Sequence, residues 1–153
     1  MEIFDVPGAY LNADIPDDKF IPFNIEGGFG DIMCEVKPKH KKIVRVENGV
    51  KLLYLRLLKA LYGCMESALL WYNLYSKTLK QQRSLINPYD RCMENSTIQD
   101  NQCTISWYAE DNKVSHVDEE VNTKVIETIS EHFGNLTVSR GKKQNFLGMD
   151  VEF

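Results

Sequence analysis

The sequence lacks the features that would place the chain in a membrane or direct its secretion. Its longest apolar stretch is interrupted by Arg56 and Lys59, so no run of about 20 apolar residues could form a membrane-spanning helix. The first twenty residues carry four aspartates and lack the charged-then-apolar order of a signal peptide. Internal repeats and low-complexity tracts are also absent. We therefore expect a globular chain without a membrane-spanning helix or a signal peptide.

The chain is also poor in paired cysteines and has no excess of positive charge. Its four cysteines show no C-x-x-C spacing, which disfavours a zinc site and predicts free thiols. Lys and Arg total 18 against 22 for Asp and Glu, a formal net charge of −4. A wholly basic nucleic-acid binder is thereby excluded, although a local basic patch is not. One such patch exists, because five Lys and Arg residues fall within positions 37–45.

What is present is ordinary globular composition, with 43% hydrophobic residues in 153. A chain of this size can bury roughly 68–70% of its unfolded surface, so we expect a single domain or a piece of a larger one. Residues 2–6 and 146–153 are apolar, strand-like runs at the two ends, where natural domains are usually looser. This pattern predicts a segment of a longer protein.

Hydrophobic periodicity and turn residues predict the order of elements. Helices are predicted at 67–80, with Ser67 as a possible N-cap, and at 121–133, with Asp118 or Ser115 as the cap and Gly134 after the end. Asn48-Gly49 predicts a hairpin. The predicted strands are 2–6, 50–58, 103–108, a strand ending at 114, 136–140 and 145–153, with mostly loop at 13–31 and 83–101. This order predicts an α+β fold, an antiparallel sheet packed on one face by two helices.

Three carboxylates are the first candidates for chemistry. Glu110 and Asp111 share a predicted hairpin turn, and Asp5 follows an apolar strand. Acidic residues are common in turns, and Asp5 taken alone is better explained as a turn-capping residue before Pro7-Gly8. If the first strand lies beside the hairpin, however, all three converge, which is the minimum for two metal ions about 3.5–4 Å apart in phosphoryl transfer.

Four segments resemble the reverse transcriptases of copia-type retrotransposons. Residues 5–12 (DVPGAYLN) resemble the D-V-x-x-A-[FY]-L-N element, and residues 61–72, from Leu-Tyr-Gly to Trp-Tyr, resemble the L-Y-G…W-Y element. Residues 108–111 (YAED) occupy the place of the Y-V-D-D turn, and residues 146–149 (FLGM) are similar to F-L-G-[IM]. Each element alone is a weak signal, but four in order along the chain are specific.

The resemblance implies the palm of an RNA-directed DNA polymerase, with part of the fingers and without the N-terminal fingers and the thumb, over residues 1–153. It implies that Asp5, Glu110 and Asp111 are catalytic and hold two Mg²⁺ ions, with Mn²⁺ as a substitute. The other implied roles are nucleotide binding by Ala9, Tyr10, Tyr62 and Gly63, primer contact by Phe146, Leu147 and Gly148, and phosphate contacts by Lys142 and Lys143.

The implied partners are an RNA template, a DNA primer, dNTP and the remainder of a polyprotein with thumb, RNase H and integrase. The implied location is cytoplasmic, in a virus-like particle. Tyr10 would act as a steric gate against a ribose 2′-hydroxyl. Core packing is an alternative role for Tyr10, Phe146 and Leu147, and a solvated surface is an alternative for Lys142 and Lys143.

The sequence departs from the family at one catalytic position. Glu110 stands where the family has Asp, and its extra methylene moves the carboxylate by more than the roughly 0.5 Å that a preorganised site tolerates. Ala109 replaces a bulkier apolar residue, and residues 66–68 (Glu-Ser-Ala) stand where relatives have Gln-Ala-Pro. We therefore expect the isolated segment to be impaired or inactive as a polymerase. The alternatives are a catalytically silent nucleic-acid-binding module and a pseudogene relic.

Overall fold

A computed structural model describes residues 1–80 and 85–152, and its backbone divides into two compact units. We call Met1–Ala13 with Ala60–Phe153 the core unit, and Asp14–Lys59 the inserted unit. The elements in chain order are β1 (Glu2–Asp5), β2 (Pro22–Glu26), α1 (Gly28–Val36), β3 (Val44–Glu47), β4 (Val50–Arg56), α2 (Ser67–Lys80), β5 (Leu85–Ile86), β6 (Met93–Ile98), β7 (Asn101–Tyr108), β8 (Asp111–Ser115), α3 (Glu119–Phe133), β9 (Thr137–Ser139), β10 (Lys143–Phe146) and β11 (Met149–Glu152). Short 3₁₀ helices span Ala9–Asn12 and Pro38–Ile43.

The core unit is built on a six-stranded antiparallel sheet with the strand order β5-β6-β7-β8-β1-β9. Helices α2 and α3 cover one face and share a single hydrophobic core with it. Large buried side chains in this core include Trp71 and Tyr75 of α2, Trp107 of β7, Ile129 of α3 and Phe4 of β1. The predicted α+β class, with two helices on one sheet face, is confirmed.

Both predicted helices of the core unit have the boundaries that the sequence suggested, within two residues. Asp118 caps α3 by accepting a hydrogen bond from the Glu120 backbone N–H (2.9 Å), and Gly134 follows the last turn with φ of 84°. Ser67 does not cap α2. Its hydroxyl instead donates to the Leu61 carbonyl (2.6 Å) and accepts from the Leu61 N–H (3.0 Å), which ties the preceding loop to the helix.

The opposite face of the sheet is partly covered by the β10–β11 hairpin. The Gln144 side-chain carbonyl accepts from the Ile3 N–H (3.1 Å). Phe146 is buried, and the Lys113 ammonium lies 5.4 Å from its ring centroid. The sequence predicted one strand over 145–153. That prediction was wrong, because Leu147 and Gly148 have φ of 53° and 75° and form a tight turn. Phe153 lies outside the described residues.

A second correction concerns residues 83–101, which the sequence predicted to be mostly loop. Within the described part, β5 and β6 lie there and extend the sheet beside β7. The sequence of β6 is polar, and its Asn95 accepts a hydrogen bond from Thr104 of β7 (2.8 Å). Its strand conformation therefore depends on the ladder with β7 and is not visible as an apolar pattern. Residues 83 and 84 lie outside the described residues.

The inserted unit is a three-stranded antiparallel sheet with the order β2-β4-β3 and one helix, α1. Asn48 and Gly49 both have positive φ, 50° and 78°, and join β3 to β4 in the predicted hairpin, as a type I′ turn requires. Helix α1 lies partly in the segment predicted to be loop. Its two glycines at Gly28 and Gly30 lower helix propensity, which explains why the sequence pattern failed there.

No helix in the described ranges, 1–80 and 85–152, is both long enough and apolar enough to cross a membrane.

Candidate active site

Two of the three candidate carboxylates lie side by side on the central strands. Asp5 at the end of β1 is the register partner of Asp111 at the start of β8. The neighbouring pair, Phe4 and Asn112, is buried toward the helices. Since side chains alternate across a strand, Asp5 and Asp111 share the opposite face of the sheet. The predicted juxtaposition of the first strand with the hairpin is therefore present.

The negative charges of Glu110 and Asp111 act on the pKa of Asp5. Its pKa is raised above 3.8, first by burial and then by the charges of Glu110 and Asp111. The charges of Glu110 and Asp111 thus disfavour ionised Asp5, and a bound cation would favour it. Paired carboxylate oxygens are ligands that Mg²⁺ and Mn²⁺ accept, so Asp5 and Asp111 fit a divalent cation in donor type.

The turn that carries Glu110 is fixed through its backbone. Its carbonyl accepts from the Val6 N–H (2.9 Å) and from the Asn112 side-chain amide (2.6 Å). The preceding carbonyl, of Ala109, accepts from the indole N–H of Trp71 (2.8 Å). Ala109 has φ of 52°, and a positive φ at the first position of a two-residue hairpin loop is typical of a type II′ turn.

Glu110 and Asp111 are adjacent in sequence, but the Glu110 side chain contacts Tyr62 while Asp111 lies beside Asp5. The Tyr62 hydroxyl donates to the Glu110 carboxylate at 2.5 Å. The pKa of Tyr62 is raised to about 12, first by burial and then by this hydrogen bond and the negative charge of Glu110. Among the residues that the structure describes, no three acidic, imidazole or thiol groups are arranged to hold a metal ion. The structure thus brings Asp5 and Asp111 together and holds the Glu110 carboxylate at Tyr62.

Tyr62 belongs to the group expected to bind the nucleotide. Its ring lies 4.4 Å from that of Tyr10, centroid to centroid, at an interplanar angle of 33°. Ala9 is fully buried in the 3₁₀ helix that carries Tyr10, and Gly63 follows Tyr62 with φ of 88°. The two tyrosines and Glu110 therefore form one contiguous group, which we call the tyrosine cluster.

The other predicted site residues are in or next to the β10–β11 hairpin. Phe146 is buried on the sheet face that carries Asp5 and Asp111, while Leu147 and Gly148 form the exposed turn. Lys143 is exposed and pairs with Glu152 at 3.7 Å, and Lys142 is exposed in the loop before it. The ion pair gives Lys143 a partner within its own hairpin, which supports the surface alternative for that residue.

The basic patch of residues 37–45, called the basic run below, lies in the inserted unit. It spans the 3₁₀ helix Pro38–Ile43 and the residues on either side, and its exposed members are Lys37, Lys39, Lys41, Lys42 and Arg45. None of these five side chains makes an ion pair with another residue of the described ranges. They remain available to phosphate groups.

Two residues at the site were missed by sequence reasoning. Trp71 was assigned to the helix pattern and to the family-like segment 61–72 without a contact of its own, yet its indole N–H donates to the Ala109 carbonyl. Asn112, next to the acidic pair, holds the Glu110 carbonyl. The available signal was chemical, because a buried indole or amide requires a hydrogen-bond partner. The four cysteines are free thiols.

The comparisons with known proteins do not assign the chain to a family, because no family model and no curated protein matches it.

Proposed function

We propose that this chain is the palm segment of an RNA-directed DNA polymerase of the copia type, an enzyme that transfers a nucleotide from dNTP to a primer 3′-hydroxyl, and that the isolated segment is impaired or inactive. The observation that carries the proposal is the pairing of Asp5 with Asp111 on adjacent central strands, beside a hairpin turn fixed by three hydrogen bonds. The order of four family-like segments along the chain supports the same function.

In this proposal Asp5 and Asp111 hold the metal, and a bound cation would offset the negative charge that raises the pKa of Asp5. Bound Mg²⁺, or Mn²⁺ in its place, would supply positive charge to the primer hydroxyl and to the triphosphate. Tyr10 would lie under the incoming sugar, and the Phe146 hairpin would support the primer on the same sheet face. RNA template, DNA primer and dNTP are the proposed partners.

A catalytically silent nucleic-acid-binding module is the second candidate. It is favoured by two observations: the Glu110 carboxylate is occupied by Tyr62, and the basic run of the inserted unit makes no ion pair within the described ranges. Such a module would bind nucleic acid with a strong salt dependence and would have no need for a metal at Asp5. Metal binding therefore separates the two functions.

The test is a Mn²⁺ titration of the chain, with free Mn²⁺ measured by electron paramagnetic resonance. Asp5→Asn should weaken binding by at least about tenfold, since even groups that only support a metal ligand cost 10–100-fold when removed. Asp18→Asn is the matched control, because Asp18 is exposed and belongs to the inserted unit. Equal affinity of the wild type and Asp5→Asn would overturn the proposed metal site and favour the silent module.

A further inference from the structure

Glu110 is the catalytic position at which the sequence differs from the family that it resembles. In the structure its side chain has a specific partner. The Tyr62 hydroxyl donates to the Glu110 carboxylate at 2.5 Å. A hydrogen bond from a phenol to an ionised carboxylate is among the stronger ones in proteins. The two residues are 48 positions apart, so this contact depends on the tertiary fold of the core unit.

Tyr62 is held in place independently of Glu110. Its ring rests on Tyr10 at 4.4 Å, an aromatic contact that contributes to stability beyond simple burial. Leu61, the preceding residue, exchanges two hydrogen bonds with the Ser67 hydroxyl at the start of α2. The hydroxyl of Tyr62 is therefore presented from a fixed ring and a fixed loop.

The Glu110 backbone is equally fixed, by Val6 and Asn112 at its own carbonyl and by Trp71 at the preceding one. These hydrogen bonds fix the backbone of the turn and leave the side-chain direction of Glu110 undetermined. The side chain can contact the Tyr62 hydroxyl or, with a cation bound between them, join the carboxylates of Asp5 and Asp111. The charge of Glu110 acts on Asp5 even from its present position, so the second arrangement lies within electrostatic range.

We infer that Tyr62 is a positioning residue that holds the Glu110 carboxylate away from Asp5 and Asp111, and so sets the site to two carboxylates instead of three. The inference rests on the proposed metal site. An Asp at position 110 would be shorter by one methylene and would not reach the hydroxyl in the same way. Glu110 and Tyr62 thus act as a pair, and removing the hydroxyl releases Glu110 to become a third metal ligand.

The experiment compares Mn²⁺ affinity in the wild type, Tyr62→Phe, and Tyr62→Phe combined with Glu110→Gln. Tyr62→Phe should tighten Mn²⁺ binding about tenfold, the size of one charge-assisted hydrogen bond in an equilibrium constant. The double variant should lose this gain, because the released side chain no longer carries a charge. Tyr54→Phe is the matched control, since the Tyr54 hydroxyl donates to Glu47 at 2.9 Å within the inserted unit.

A second readout is independent of affinity. In protein labelled with ¹³C at the glutamate carboxyl carbon, Mg²⁺ should shift the Glu110 resonance in Tyr62→Phe and leave it unshifted in the wild type. Glu110→Gln identifies the resonance. A purely structural role for Tyr62 would change stability without making this resonance sensitive to Mg²⁺.

The outcomes separate the inference from the proposed function. If Asp5→Asn loses Mn²⁺ but Tyr62→Phe leaves the affinity unchanged or weaker, the inference is overturned and the metal site stands. If the Glu110 resonance of the wild type already shifts with Mg²⁺, the inference is likewise overturned. If neither the wild type nor Tyr62→Phe depends on Asp5 for binding, the proposed metal site fails, and the inference fails with it.

Discussion

Asp5 is the residue at which the proposed function and the stability of the fold oppose each other. It is half-buried beside Asp111, and its pKa is raised above 3.8 by burial and by the charges of Glu110 and Asp111. Charge repulsion of this kind is kept at sites where a ligand relieves it. The cost falls on the folded state whenever Asp5 is ionised, and a folding measurement can detect it.

We predict that Asp5→Asn stabilises the chain at neutral pH. A carboxyl group with a raised folded pKa favours folding only while it is protonated, so its contribution is fully present below 3.8 and is lost as the pH rises through the folded pKa. The gain in melting temperature from Asp5→Asn should therefore appear at neutral pH and vanish in acid below pH 3.8.

Asp18→Asn, at an exposed position, removes the same formal charge and should change the melting temperature little at either pH. An equal gain from Asp5→Asn in acid and at neutral pH would contradict the assigned repulsion.

For single residues, the sequence predicted correctly that Asp5 lies beside Asp111, but it did not predict the direction of the Glu110 side chain. The chain order of strand, hairpin and acidic turn was enough to expect Asp5 beside Asp111, because adjacent antiparallel strands fix backbone neighbours. The direction of the Glu110 side chain depends instead on Tyr62, 48 positions away. Neither propensity nor periodicity describes such a contact.

At the scale of elements, α2 is the support of the acidic hairpin. Its Trp71 is buried in the core and reaches the turn through the indole N–H. The same residue therefore contributes to packing and fixes the backbone that presents Glu110 and Asp111.

Replacement of Trp71 by Phe should loosen this turn specifically. The change removes the donor to the Ala109 carbonyl, which costs about 1–3 kcal/mol when an acceptor is left without a partner. The Val6 amide, which donates to Glu110, should then exchange its hydrogen faster, by roughly tenfold for each 1.4 kcal/mol of lost protection.

Trp107→Phe is the control, because Trp107 is also buried in the core but lies on β7. It should destabilise the fold through packing without selective exposure of the Val6 amide. Equal acceleration of Val6 exchange in the two variants would show that the indole hydrogen bond does not hold the turn.

The turn of the β10–β11 hairpin carries a second element-scale prediction. Leu147 and Gly148 have φ of 53° and 75°, the type I′ conformation that Asn-Gly adopts most easily. Leucine in this region costs about 1–2 kcal/mol. Leu147→Asn should therefore raise the free energy of unfolding by about 1 kcal/mol in urea denaturation, and Gly148→Ala should lower it.

The helices and strands that the sequence predicted are stabilised differently from those that it did not predict. Helix α3 was predicted because its apolar residues recur every four positions and Asp118 caps it. Helix α1 contains two glycines, which lower its intrinsic helix propensity. Strand β6 is polar and exists through its ladder with β7. Such elements depend on neighbours that are distant in sequence or unmarked by hydrophobicity.

At the scale of the whole molecule, the chain is two compact units, one of them interrupted in sequence by the other. Both tryptophans and the hydrophobic core described above belong to the core unit. The Ala60 N–H donates to the Ala13 carbonyl at 2.9 Å, so the two points where the inserted unit joins are in contact.

We predict that the core unit folds without the inserted unit. Replacement of Asp14–Lys59 by a short Gly/Ser linker keeps the two joining points together and shortens the loop, which lowers the entropy cost of closing it. The shortened chain should unfold cooperatively. In the absence of denaturant, the fluorescence of both tryptophans should be that of buried indoles. Solvent-exposed tryptophan emission in the absence of denaturant would show that the core unit depends on the inserted unit.

The most direct test of the central claim is anomalous diffraction from crystals of the chain grown with Mn²⁺. We predict an ion within about 2.1 Å of carboxylate oxygens of both Asp5 and Asp111, the usual distance for a small divalent cation. We also predict that the Glu110 carboxylate remains on the Tyr62 hydroxyl. Manganese bound only at other carboxylates, with no anomalous peak between Asp5 and Asp111, would show that these two residues do not form a metal site.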